Sequence, residues 1–547
     1  MKSKQMIQIR RKVLFTLPLK RTSLYYLLVT FALISAYLLC LTFNPFISGV
    51  EANSGITYYV SKNGNNTNGQ SWATAWNELA SINWSVVQPG DTILLDGGSQ
   101  SMTYSTTLTI AKSGTQAAPI TIERATETGH NGTVILFGGR STPLPYCGQK
   151  NYVYHPAQRA HAIVFGSSSW IVLDGMNWHG INIHGFSDNG VDMSQTPSND
   201  TLRNMEIYDN GSADQQGNTF SPDDANHGIY LTGSNLTFEQ MDIHDNAADE
   251  FDTGEPSGVH NITINHSWMH VSREDPNHQG LPFNNCVHQD GYQIYSGGVQ
   301  TGILIENSVV GPGLGENFIL GATKRSDGNS ATINDVTIRN VLSIAKDRNI
   351  LGYPQVNETG WVIDHDTIIT TGKGIPDSGL VYEALFLQGP NNSVTNSIFY
   401  DGLIYVPNKL QNSSGNCQWK TTGDTNVLGG QTIDPQFTTD ISSYQYSTPL
   451  ATMVNANYAL QSISPCKGVG SSITSVNSFL QMVKANNSGS TPTPQAKSTP
   501  GSGDNNGQNP IPGGFATIIW VILGLILIGA IALLLVIYKR RARDSIS

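Results

Sequence analysis

Cysteine is scarce in this chain: Cys40, Cys147, Cys286, Cys417 and Cys466 are the five in 547 residues, and no CxxC pair or His/Cys cluster occurs. That excludes zinc-ribbon chemistry and a fold held together mainly by disulfides. The four beyond Cys40 permit three pairings or none. Basic charge is missing from the centre. Residues 1–52 and 539–547 take 11 of the 30 Lys+Arg and 2 of the 41 Asp+Glu, leaving 19 basic against 39 acidic residues, a formal charge of −20. Such a surface repels nucleic acid and other polyanions unless a cation intervenes, so no nucleic-acid partner is expected. Apolar runs long enough to cross a membrane are absent between the two ends.

The ends read differently. Residues 1–52 carry Lys2, Lys4, Arg10, Arg11, Lys12, Lys20 and Arg21 ahead of an apolar run from Leu24 to Phe43 and a small-residue segment ending at Ala52. This is the pattern of an export signal, long enough to serve as an anchor if uncleaved. Residues 515–538 are uncharged and mostly apolar, and Lys539, Arg540, Arg541 and Arg543 follow in the tail, 539–547. That pattern predicts a transmembrane helix, single-pass after signal cleavage, with a cytoplasmic C-terminus. Residues 486–514, rich in Ser, Thr, Pro, Gly and Asn, read as a flexible tether.

What fills the centre is a repeat. An apolar triplet, a polar pair and a further short apolar run recur from Ile171, Thr201, Leu236, Ile262, Ile303, Val336, Trp361 and Ser393. Aligned on Leu173, Leu202, Phe238, Ile264, Ile305, Ile338, Ile363 and Val394, the intervals run from 25 to 41 residues. The runs alternate and are rich in Val, Ile and Thr, which predicts strands. An upstream partner strand ends near glycine at AIVFG (from Ala162), GIYLTG (from Gly228) and ALFLQG (from Ala384), so one coil is three strands. A lone coil cannot bury its apolar face, and successive coils must stack on one continuous core.

With Asn204, Asn307, Asn340 and Asn396 recurring at the corner between second and third strands, the chain resembles the right-handed parallel β-helix of pectate-lyase-like proteins. In that family an asparagine ladder stacks there; Gly175, Gln240, His266 and His365 replace it in the other coils. The resemblance implies an all-β, single-stranded right-handed parallel β-helix, a solenoid. Residues 53–98 form its N-terminal cap and first coil, with Trp76, Leu79, Ile82 and Val86 at helical spacing. Residues 99–425 are the β-helix proper, and 426–485 the segment closing its far end.

Insertions before His227, after Asn246 and before Gly291 share one corner and predict a wall beside the first sheet. The strand-start positions then read His161, Asn189, His227, Asp249, Asp290, Glu316 and Glu383. The outward column reads Val164, Asp192, Tyr230, Asp252, Gln293, Ile319 and Phe386. Stacked coils set carboxylates about 5 or 10 Å apart, separations that glycosidases use. Asp192, His227, Asp249, Asp252 and Asp290 are therefore candidate catalytic residues, with Tyr230 and Gln293 contacting substrate. Asp249, Asp252 and Asp290 are equally candidate ligands for Ca²⁺, an oxygen-seeking cation that would bridge to a uronate; no other cofactor is expected. Lys324 and Arg325 would then be the base and charge stabiliser of a β-elimination. His244, His266, His270 and His365 fall away from this cleft and read as stacking or corner residues. His227-Gly228 and the acids Asp249 and Asp252 are similar to motifs of polygalacturonase-like hydrolases, but their order differs and that family's Arg-Ile-Lys motif is missing, so no role carries over.

The expectation is a membrane-anchored, monomeric cell-surface protein acting on polysaccharide as a lyase or hydrolase. The alternative is a non-catalytic glycan-binding or adhesin-like rod.

Overall fold

The structure, a computed structural model, describes residues 55–144, 157–212, 227–254, 258–273, 290–294, 298–320, 332–352, 357–373 and 382–486. The leader, the tether from residue 487 on, the span and the basic tail lie outside the described residues, as do Cys147, Cys286, Lys324 and Arg325. Among the described residues no helix is long and apolar enough to cross a membrane.

The chain is a parallel β-helix. Every strand-to-strand ladder in its large sheet is parallel, and each strand pairs with its equivalent one coil later, as Thr57–Val60 does with Thr92–Leu95. The eight aligned repeat positions form one continuous register from Leu173 through Leu202, Phe238, Ile264, Ile305, Ile338 and Ile363 to Val394. All eight side chains are buried in one core with the inward residues of the other strands. Alternation produces this: in Ile181–His184 the two isoleucines are buried, while Asn182 and His184 face outward.

The corners are made by residues that tolerate a left-handed backbone. Asn204, Gln240, His266, Asn307, Asn340, His365 and Asn396 all have φ between 49° and 62° at the corner between second and third strands. In the Gly175 coil the positive φ falls on Met176 instead. Asn340 Nδ2 donates to Asn307 Oδ1 at 2.8 Å, a rung of the expected ladder. A second ladder, not anticipated, runs at the corner before the second strands, where Asn261 donates to Asn235 and Asn235 to Asn199.

Asn340 also holds the closing segment. Its Oδ1 accepts from the Ser472 backbone N–H at 2.7 Å and from the Ser471 and Ser472 hydroxyls at 3.0 Å. Asn340→Ala should destabilise the fold by about 1–2 kcal/mol through its left-handed backbone alone, and further through the lost bonds. Asn340→Gly removes only the strain component and should unfold at a higher denaturant concentration than the alanine variant; equal midpoints would mean that the corner is unstrained.

The N-terminal cap differs from the helix that its spacing predicts. Trp72–Thr74 and Leu79–Ser81 are single 3₁₀ turns. Asn83 bends the chain by accepting from the Ser85 N–H and hydroxyl, a local bond that competes with helix. Trp76, Leu79 and Ile82 are buried as expected, but the fourth position is Val87, and Val86 is exposed.

The closing segment also departs from a simple end plug. Its helices are Leu450–Val454, which sends Leu450 into the main core and Met453 outward, and Val476–Asn486; Met453, Val476, Phe479 and Val483 belong to a second apolar cluster on the outer face of the third sheet, reaching back to Trp268 and Trp178. Phe479 meets Trp178 edge to face at 6.2 Å between ring centroids. A disulfide joins Cys417 of the last coils to Cys466 of this segment, selecting one pair from the open alternatives.

Candidate active site on the first sheet

The first sheet stacks Ile163–Val164, Val191–Met193, Ile229–Leu231, Phe251–Thr253, Asp290–Ile294, Glu316–Leu320, Arg348–Gly352 and Glu383–Phe386. Its outward column runs Val164, Asp192, Tyr230, Asp252, Gln293, Ile319 in direct register. Leu351 then precedes Phe386, because Arg348–Gly352 is a coil that the alignment of first strands skipped. That coil puts Arg348 into the strand-start column between Glu316 and Glu383, and Arg348 forms ion pairs with both. Burial lifts the Glu383 carboxyl to about 7, against the pull of Arg348 and with help from Glu316 and Asp347.

The column brings the predicted residues together around His227. Its Nδ1 lies 3.4 Å from Asp249 Oδ2 and its Nε2 3.4 Å from Asp252 Oδ2, so one imidazole spans two carboxylates from the next coil. The Nδ1 contact is an ion pair at the long edge of hydrogen bonding, and its geometry does not make a hydrogen bond. The Tyr230 ring stacks on the imidazole at 5.9 Å. Gly254 makes room for that tyrosine, since a Cβ there would come within 2.3 Å of its hydroxyl. Two coils before His227, His161 Nε2 lies 3.6 Å from Asp188 Oδ2 and 4.0 Å from Asp192 Oδ2.

Burial opposes charge on His227, but Asp252, Asp249 and Asp188 together outweigh it, and the ring keeps its proton above the ordinary histidine range. Burial likewise pushes Asp188 up, with His161 opposing.

The acids are not equivalent. Asp249 and Asp290, at 2% and 1% exposure, are sunk at the strand starts instead of lining an open groove. Asp249 Oδ1 accepts the Asp290 N–H at 3.0 Å, and Asp290 Oδ1 accepts the Glu316 N–H at 3.1 Å. Two coils before Asp249, Asn189 does the same for the His227 N–H. Asp192 Oδ1 accepts the Ser194 N–H at 2.9 Å, a local turn. Asp249, Asp290 and Asp192 thus each spend one oxygen orienting backbone, and Asp249 and Asp252 lie equally close to His227.

Asp249, Asp252 and Asp290 do not fit a calcium cage in this arrangement. Their oxygens do not converge as a three-ligand group, and the His227 imidazole occupies the gap between the first two. The convergent acid and histidine ligands among the described residues lie elsewhere, on the third sheet. A separate concavity lined by Arg339, His365, Tyr458 and Ser472 sits under the closing segment and holds none of the predicted site residues.

Sequence reasoning missed His161, Asp188 and Arg348 as participants. Arg348 was detectable, because RNILG repeats the asparagine, apolar pair and final glycine of ENFILG from Glu316.

No family model and no curated protein sequence matches the chain. In fold it is similar to a solved pectate lyase, at 18% identity and a TM-score of 0.39 over 75% of this chain and 90% of that one. It is similar also to a rhamnogalacturonan lyase, at 14% identity and a TM-score of 0.43 over 78% and 98%. A lacto-N-biosidase from Eubacterium ramulus aligns at 14% identity and a TM-score of 0.36 over 69% and 66%.

Proposed function

We propose that this protein is a polysaccharide-cleaving β-helix whose reaction takes place on the first sheet around His227. The observation that carries this is the imidazole placed 3.4 Å from both Asp249 and Asp252. An imidazolium held by two carboxylates is a proton donor for a departing sugar oxygen, which leaves as a hydroxyl, and Asp252 is the base that takes a proton from the water attacking the sugar carbon, a proton that then returns to His227. Tyr230 and Gln293, in the same outward column, supply a ring face and an amide for a sugar. Asp249, Asp290 and Asp192 act as positioning residues through their backbone bonds.

We place the domain outside the cell, tethered through residues 486–514 to a single span. The support is the uncharged run 515–538 with four basic residues immediately after it. Polysaccharide is the proposed partner, with no nucleic acid and a single copy of the chain.

A second reading has its own support. Because three of the four aspartates serve backbone N–H groups, the same surface suits a glycan-binding rod without turnover. One experiment separates the readings: incubate the protein with neutral and uronate polysaccharides, with and without calcium, following reducing ends and ultraviolet absorbance. Reducing ends without absorbance indicate hydrolysis, calcium-dependent absorbance indicates elimination by Lys324 and Arg325, and saturable binding without either product supports the rod.

A further inference from the structure

We infer that the third sheet carries a binding site for a divalent transition metal of the zinc class, with Asp242, His244 and His270 as ligands and Glu206 and His179 beside them. The site lies on a different sheet from the His227 cluster. Coil stacking builds it: Asn182, Glu206, Asp242 and Trp268 form one outward column, and His184, Tyr208, His244 and His270 form another two residues along. His179, at a left-handed turn with φ 61°, comes in from the side.

The donor atoms converge. One oxygen of Asp242 and ring nitrogens of His244 and His270 lie within 4.8 Å of one another, and a second such group joins His179 and Glu206 to the same Asp242. His270 Nε2 is 3.0 Å from Asp242 Oδ1, His179 Nε2 is 2.7 Å from Asp242 Oδ2, and His244 Nε2 is 3.4 Å from Glu206 Oε1. A tetrahedral ion with bonds of about 2.0–2.1 Å separates its ligands by about 3.3 Å, so Asp242 and His270 already stand at the spacing of two ligands on one ion, and His244, within 4.8 Å of both, closes in on binding. Two imidazoles with a carboxylate suit zinc and its neighbours, whereas calcium requires an all-oxygen shell.

The surroundings point the same way. His244 Nδ1 lies 2.8 Å from Asp245 Oδ2, which directs Nε2 into the cluster, and Asp245 is itself held by the Ser272 N–H at 3.0 Å and by Arg273. A carboxylate behind a histidine is the usual support of a ligating imidazole. His270 is stacked on Trp268 at 3.5 Å and on His244 at 4.8 Å, and His179 on Trp178 at 4.9 Å, so neighbouring rings confine all three imidazoles, and a tilt of the His244 and His270 rings brings their nitrogens onto one ion. Asp242 and His270 are buried, while the His179 side chain is 32% exposed and opens a path from solvent. The ion would tie successive coils together next to the closing helix that packs on Trp178.

The test uses the full-length protein, stripped with a chelator and titrated with Zn²⁺ alone by calorimetry, with bound metal counted by elemental analysis. One Zn²⁺ per folded chain is expected, and Co²⁺ in its place should give the visible absorption of a four-coordinate nitrogen and oxygen site. His244→Gln and His270→Gln should each abolish the cobalt spectrum, and Asp245→Asn should weaken zinc affinity by about 10–100-fold by freeing the His244 ring. Should the histidine variants fail to fold, the wild-type stoichiometry and cobalt spectrum with the Asp245→Asn affinity still decide. Absence of stoichiometric binding to folded wild type, or unchanged affinity in Asp245→Asn and the histidine variants, would overturn the proposal and leave an ion-pair network.

Discussion

His227→Gln is expected to lower kcat/KM on the cleaved polysaccharide by about 10²–10⁴-fold, the loss that follows removal of a positioned acid–base group. Glutamine keeps the backbone N–H bond to Asn189 Oδ1 and much of the contact with Tyr230, so the coil should stay folded. The pH dependence supplies the sharper check. Since the neighbouring acids raise the His227 pKa above the ordinary histidine value against burial, the proton donor persists to higher pH than an ordinary histidine holds it, and activity should fall as pH rises through the raised value. Asp249→Asn retains an oxygen for the Asp290 N–H but removes one supporting charge, which should move the alkaline limb to lower pH. The same linkage predicts that the stabilisation from His227 is complete below about 6.5, the unperturbed histidine value, and is lost as pH rises through the higher folded-state value. An unmoved limb in Asp249→Asn, with turnover intact in His227→Gln, would remove His227 from the chemistry.

The coil arrangement was legible because inward residues recur in strict alternation, and a register of eight apolar positions follows once the corners are recognised. The coil holding Arg348 escaped because its strand starts with a cation where its neighbours start with acids, histidine or asparagine. The depth of Asp249 and Asp290 was not legible: a corner side chain points in or out according to backbone dihedrals that spacing does not specify. The third-sheet cluster was harder still. Its members stretch from His179 to His270 and meet only because intervals of unequal length return the chain to the same edge. A column written through the third strands, His184, Tyr208, His244 and His270, would have exposed the stacking, and two of those histidines were read as stacking residues without the acids that face them. The closing segment was legible as a terminator, but its path along the third sheet depends on Phe479 meeting Trp178, a contact between residues with no shared pattern.

Trp361→Ala should cause the largest loss of stability, about 3–5 kcal/mol from the cavity alone. Trp361 is fully buried at the start of its coil's second strand, and it bonds to both neighbouring coils. Its Nε1–H donates to the Ile333 carbonyl at 2.9 Å on the preceding coil, and its backbone N–H donates to Asn392 Oδ1 at 2.9 Å on the following one. Trp361→Phe keeps most of the volume and removes the bond to that carbonyl, which should cost about 0.5–1.5 kcal/mol. Denaturant midpoints should therefore fall in the order wild type, phenylalanine, alanine, and equal midpoints for the two variants would mean that the core closes over the void. In a solenoid each coil is stabilised mainly by its neighbours, so the damage should be graded along the stack. Hydrogen exchange in Trp361→Ala should accelerate first around Ile333 and Ser393, whose N–H bonds the Trp361 carbonyl at 2.7 Å, while the Ile163 to Tyr208 coils stay protected. Uniform acceleration along the whole stack would show instead that the coils unfold as one cooperative unit and that the His227 cluster depends on packing several coils away.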